Sequence, residues 1–189
     1  MALLKSLQSD NVVYHGLAGH FYVNGVSHVL KVRIIADLEE RSRLVMEREK
    51  ISHESAEERI RTDDAARRKW SRHLYGIDTN DPGLYDLVIR VRNLSVDDVA
   101  KAICHTVTLG TFNATPESRQ AIEDLLLAGE VKSALMALKP DIQVAARGGE
   151  VSLGVEAHLA KEPSQTAEMV KLARLVPGVR NVSVETRQD

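Results

Sequence analysis

Apolar and polar positions along the chain follow two different periods, and the change of period marks its elements. Residues 12–36 read as extended structure, with "NVVYHG" and "HVLKVRIIAD" separated by a connector broken by Gly and Asn. The second run is rich in β-branched residues, and the pattern predicts two buried strands. Asp37 then stands where a helix cap belongs, ahead of a charged run whose Leu38, Leu44 and Val45 fall near one face. Ser52 opens a second helix, in which Ala56, Ile60, Arg67, Trp70 and Leu74 recur at helical spacing until Gly76 stops it. This pair predicts a solvated hairpin laced with ion pairs.

"GIDTNDPGLY" is turn-rich, and "YDLVIRV" reads as another buried strand. Ser95 with Asp98 three residues on forms a capping box for a helix whose stripe is Val96, Val99, Ala100, Ile103 and Val107. Gly, Thr, Asn and Pro cluster over residues 108–118, where we place a boundary between domains 1–110 and 111–189. A helix is expected from about Pro116 to Leu138 with a break at Gly129. Ile142, Val144 and Ala146 alternate before Gly148-Gly149, and Val151, Leu153 and Val155 alternate after, which predicts a tight β-hairpin. A helix carrying Met169, Val170, Leu172, Ala173 and Val176 and a last strand, "VRNVSVET", complete an α, β, β, α, β order. That order describes a small helix-on-sheet domain.

Composition narrows the class. With 43% hydrophobic and 28% charged residues, the chain is expected to fold. The net charge of -2 supplies no overall attraction for nucleic acid, so no such partner is expected. One cysteine, Cys104, cannot form an internal disulfide, and "MALLKSLQSD" lacks the regions of a secretory signal. A cytoplasmic location is expected.

Candidate chemistry starts at "HGLAGHFY". His15, Gly16, Gly19 and His20 form a possible ligand loop, but the GxxxxGK[ST] phosphate cradle occurs neither here nor elsewhere in the 189 residues. His15 and His20 bring no third or fourth ligand with them, so no metal site is expected. Cys104 is expected to be a small buried side chain rather than a nucleophile. Asp63, Asp64, Arg67 and Arg68 hold two carboxylates and two guanidiniums at helical spacing, a set able to meet a base and a phosphate together. Intrahelical ion pairing uses the same spacing, so both readings stand at this point.

In order, "NVVYHGLAGHFYVNGVSHVLKVRIIADLEER", "ISHESAEERIRTDDAARRKW" and "YGIDTNDPGLYDLVIRVRNLSVDDVAKAI" resemble the cytidylate-kinase-like family of P-loop nucleoside monophosphate kinases, over about residues 1–108. The resemblance implies that the charged hairpin is a lid, that Asp64 to Arg67 matches an Asp-x-x-Arg that helps hold nucleotide, and that Arg41 lies in the helix after the strand. Where the family commonly has a Gly-Arg-Asp type sequence for the acceptor, this chain reads Gly16-Leu17-Ala18. The family's P-loop would lie before residue 1. ATP and magnesium are implied only if such a segment is supplied, and otherwise no cofactor is expected. Residues 116–187 resemble a BON domain through "IQVAARGGEVSLGVEA" and "AEMVKLARLVPGVRNVSVE", which implies a non-catalytic module contacting protein or phospholipid.

The expected fold is therefore α/β: an incomplete P-loop-kinase-like parallel sheet with a helical lid hairpin, plus a small α+β BON-like domain. The expected function is a non-catalytic binding or assembly protein, bacterial and homodimeric. Two alternatives are a C-terminal kinase segment whose P-loop lies outside the chain, and a nucleotide sensor that transfers no phosphoryl group.

Overall fold

The computed structural model describes residues 2–156 and 163–186. These form two compact units, each taken by itself. One gathers the stretch up to His15, Tyr22–Val26 and what is described from Ala114 on; the other gathers Gly16–Phe21 and Ser27–Asn113.

The second of these units is built on two parallel strands, β1 (Val32–Ala36) and β2 (Leu87–Val91), in register from Val32 beside Leu87 to Ala36 beside Val91. Between them run helices α3 (Leu38–Glu49) and α4 (His53–Tyr75), which pack on one another as the expected hairpin. The turn between them is closed by the Lys50 N–H bonding to the Met46 carbonyl and by the Ser52 hydroxyl accepting from the Ser55 N–H at 3.2 Å. Gly76, with φ of 66°, ends α4. Ser52→Ala should lose about 1 kcal/mol of stability, read by urea unfolding of the full chain. Helix α5 (Val96–Val107) carries the expected Ser95–Asp98 capping box and packs on β2.

Several expectations are corrected in this half of the chain. Residues 12–15 form no strand, and Val13 is 98% exposed. Asp10 and Asn11 both take left-handed backbone conformations just before the run. An apolar run makes a strand only where a neighbouring strand takes up its hydrogen bonds. A single helical turn, α2 (Gly19–Tyr22), lies in the expected connector. Only one strand, β1, forms from residues 12–36, and it is not fully buried, with Ile34 56% exposed.

On α3 the covered line is Leu38, Arg41, Ser42 and Val45, while Leu44 points outward. On α4 it is Ala56, Ile60, Asp64 and Ser71; Trp70 and Leu74 are exposed. On α5 only Val99 is buried, with Ile103 and Thr106 half-covered at helical spacing, whereas Val96 is 80% exposed. Cys104 lies off that line and is exposed, not buried.

The other unit centres on a three-stranded sheet in the order β3-β4-β5, where β3 is Gln143–Arg147, β4 is Glu150–Val155 and β5 is Asn181–Thr186. Strands β3 and β4 are antiparallel, and Gly148 and Gly149, with φ of 56° and 87°, form their two-residue turn. Both central positions need positive φ, which glycine supplies without a Cβ clash. The Asp124 carboxylate accepts from the Gly148 N–H at 2.7 Å. Helix α7 (Pro163–Arg174) carries the chain from β4 to β5, which pairs parallel to β4. Helix α6 (Pro116–Leu135) runs through Gly129 without the expected break and stops short of Leu138. A glycine there costs about 1 kcal/mol relative to alanine, less than is gained by burying Ile122, Val131 and Leu135 on the same helix. The core joins Val131, Leu135, Ile142, Leu153, Met169 and Ala173, so the alternation on both hairpin arms is realised. Helix α1 (Ala2–Leu7) packs on α6, where Lys5 meets Glu130 at 3.4 Å.

The end of the hairpin segment, "AHL" at 157–159, lies outside the described residues. Among the described residues no helix is long and apolar enough to cross a membrane.

Candidate functional site

The hairpin brings together two of the predicted side chains. Arg41, one turn into α3, donates from Nη1 to Asp64 Oδ2 at 2.6 Å and from Nη2 to Oδ1 at 2.8 Å. Both elements dictate this pairing. Arg41 sits on the face of α3 that meets α4, and Asp64 continues the Ala56–Ile60 line of α4 toward it. The two-pronged match of guanidinium and carboxylate is the strong form of such a pair. Each partner's side chain keeps 36% of its surface, so water still reaches it. The hydrogen bonds from Arg41 hold the Asp64 carboxyl below the usual carboxylate range, with Arg67 and Arg68 adding their charges, and the Arg41 guanidinium is held still more firmly protonated. Asp63 is exposed and acts on Arg41 only through its charge. Arg67 and Arg68 are also exposed, on the next turn of α4.

The arrangement offers cationic forks and one oriented carboxylate, the chemistry that takes up a phosphate and a polar base edge. The other ion pairs of the hairpin are the expected surface lacing: Arg43 reaches Glu40 at 3.0 Å and Glu47 at 3.4 Å, and Arg59 pairs with Glu49. Glu39, His53 and Glu57 could bring one ligand atom each within 4.8 Å of one another, but His53 Nε2 already lies 3.1 Å from Glu39 Oε2 and the group is largely solvent-exposed.

A second arginine-carboxylate group was not legible as such. Asp37, read as a helix cap, makes no side-chain cap bond. Its carboxylate instead accepts from Arg90 Nε at 3.1 Å and from Arg90 Nη2, with Arg92 Nε at 3.9 Å. A charged donor outbids a backbone amide for a carboxylate. Asp37 and Arg92 follow directly on β1 and β2, so this group lies at the carboxyl ends of parallel strands, the edge where open α/β sheets bind ligands.

The predicted loop divides. His15 is exposed in irregular chain, and Gly16 with it. His20, on α2, packs its ring 4.1 Å from Phe21 and 5.0 Å from Tyr85, centroid to centroid. The row extends from Phe21 to Tyr75 at 4.8 Å and from Tyr75 to Trp70 at 5.4 Å. Arg33 lies over the Tyr85 ring, 5.7 Å from its centre, and donates to Asn80 Oδ1 at 2.6 Å. The aromatic row and Arg33 have no local signal, because the contacts that join them, His20 with Tyr85, Phe21 with Tyr75 and Arg33 with Tyr85, link residues far apart in sequence.

A charged helical hairpin following the first of two parallel strands defines a mixed α/β protein consistent with a kinase-like fold. Residues 1–93 match the model of the cytidylate kinase-like family, so the chain carries a cytidylate-kinase-like segment. Similar proteins include cytidylate kinase of Thermococcus kodakarensis, 33% identical over 96 residues covering 51% of this chain and 49% of that one. Cytidylate kinase of Saccharolobus islandicus is 30% identical over 95 residues, half of each chain, and that of Methanopyrus kandleri is 31% identical over 102 residues, 50% of this chain and 53% of its own. The chain thus spans about half the length of the curated relatives it matches. These relatives are archaeal and lend no support to the bacterial source expected above. No solved structure matches the chain significantly. The BON-like resemblance of the C-terminal residues has no counterpart among these matches.

Proposed function

We propose that the cytidylate-kinase-like segment is the lid-bearing half of a nucleotide site, which binds a nucleoside monophosphate but does not transfer phosphoryl groups unaided. The observation that carries this reading is the two-pronged Arg41–Asp64 pair, with Arg67 and Arg68 one turn on, inside the stretch that matches the family. Arginine forks fixed in advance suit a phosphate ester. Phosphoryl transfer also needs a loop and a metal ion to stabilise charge on the outer phosphates, and the 189 residues hold no GxxxxGK[ST] sequence to supply that loop. ATP and magnesium therefore belong to the reaction only if a P-loop segment is provided by further polypeptide. This reading joins the nucleotide-sensor and kinase-segment alternatives and places the protein in the cytoplasm, where such nucleotides are found.

Two measurements test it on the whole chain. Calorimetry with CMP is expected to give saturable heat, and incubation with ATP, magnesium and CMP is expected to give no CDP above background. CDP formation by the chain alone would overturn the non-catalytic part, and absence of heat would overturn the site.

A second reading, an assembly platform, is favoured by apolar positions left uncovered on the small sheet and on α5: Ile34, Val88 and Val96. Burying such positions against a second copy would remove apolar surface from water. A homodimer in light scattering supports this reading, and a stable monomer counts against it. For the residues from Ala114 onward we propose an interaction module, supported by the order α6, β3, β4, α7, β5 and by the resemblance to BON domains; a protein or phospholipid partner is the implied contact.

A further inference from the structure

We propose that His20 is a protonation latch: as a neutral ring it fastens Gly16–Phe21 against Tyr85, and as a cation it releases that segment. The geometry points to this in three steps.

First, the ring is built into a cluster of tilted aromatic rings. Phe21 and Tyr85 flank it at 4.1 and 5.0 Å, and Tyr75 backs Phe21 at 4.8 Å. Second, His20 Nε2 is shut off from solvent and has no hydrogen-bond partner among the described residues. A proton added there would enter a place with neither water nor an acceptor.

Third, the charged groups that face it are positive. Lys31 and Arg33, from the β1 side, act on the imidazole through their charge. Asp86, beside Lys31, is engaged by the Lys31 N–H at 2.7 Å and by its ammonium at 3.4 Å. Asn80, which holds Arg33, is neutral, and the Tyr85 hydroxyl donates to the Thr79 carbonyl at 3.0 Å, burial pushing its pKa up so that it stays neutral. The aromatic faces attract a cation weakly, but they do not replace lost hydration.

Burial first, then Lys31 and Arg33, push the His20 imidazole below its ordinary value. The sign follows: the packed state binds the proton less well than the released state. The latch is therefore complete above the ordinary histidine value of ~6.5 and is lost as pH falls through the lower, packed value. The segment it frees includes Gly16 and Gly19 of the possible ligand loop, so acid would open that loop. This inference stands whether or not the chain binds a nucleotide.

The test is amide hydrogen exchange on the whole chain at about pH 7.5 and about pH 5, corrected for intrinsic exchange, in the natural protein and in His20→Phe. Protection of residues 17–21 should fall severalfold at the lower pH in the natural protein and hold steady in His20→Phe, which keeps the aromatic packing without a titrating group. No fall in the natural protein, or an equal fall in both, would overturn the latch. Should His20→Phe not fold, the natural protein still decides the matter. An NMR titration of the His20 ring is expected to give a midpoint below ~6.5, and a midpoint at or above that value sinks the proposal.

Discussion

Truncating Leu153 to alanine is expected to lower stability by about 2–5 kcal/mol, read as an early transition in urea unfolding of the full chain. Leu153 lies in the central strand, β4, with Val144 beside it on β3 and Val184 beside it on β5, and none of its surface reaches solvent. Met169, Ala173, Val131 and Leu135 complete the core around it from α7 and α6. A side chain enclosed by strands on both sides and by helices above leaves a cavity that backbone movement cannot close. Leu153→Met keeps the volume and should cost less than about 1.5 kcal/mol. Equal, small effects from both would mean that this core is loosely packed and that the unit draws its stability from elsewhere.

That core was the most legible part of the chain, and the reason is local. The turn at Gly148-Gly149 is specified by two adjacent residues, and the alternation on either side is specified by positions two apart. The same holds for Ser52, Gly76 and the Ser95–Asp98 box, whose bonds span three or four residues. Sequence reading failed where an element depends on a distant neighbour. Val12 and Val13 carry strand-forming side chains but no adjoining strand, and the chain turns at Asp10 and Asn11 before it reaches them. Trp70 and Leu74 continue the helical spacing of Ala56 and Ile60, yet what covers a helix face is fixed by the partner helix, and here the line drifts to Asp64 and Ser71.

The candidate site divides along the same boundary. Asp63, Asp64, Arg67 and Arg68 were visible because they are neighbours on one helix. That Arg41, 23 residues earlier, would take Asp64 in both forks followed only from the packing of α3 on α4. Asp37 with Arg90, separated by 53 positions, and His20 with Tyr85 could not be paired before the parallel register of β1 and β2 was known.

Arg41→Ala is expected to weaken CMP binding ~10–100-fold in calorimetry, the loss of about 1.5–3 kcal/mol that accompanies a missing charged hydrogen-bond donor. The Arg41–Asp64 pair leaves room for this. A guanidinium carries five N–H donors, and Asp64 takes one from each terminal nitrogen, so Nε and the outward hydrogens stay available to a phosphate. Asp64 then acts as a positioning residue that aims the fork.

On that account Asp64→Asn weakens CMP less than Arg41→Ala does, and Arg41→Lys fails to restore affinity because an ammonium cannot reproduce the planar fork. For folding alone the pair is worth only about 0.5–1 kcal/mol, since both partners are more than one-third exposed and solvent screens them. Its sign with pH is set by Asp64, whose carboxyl is held below the usual range by Arg41. The stabilisation is present above the ordinary aspartate value of ~3.9 and disappears as pH falls through the lower, folded value. Binding and stability are therefore expected to separate: Arg41→Ala should cost far more in CMP affinity than in urea midpoint. The opposite ranking, with affinity unchanged and stability reduced, would make Arg41 and Asp64 a clamp for the hairpin and remove them from the nucleotide site.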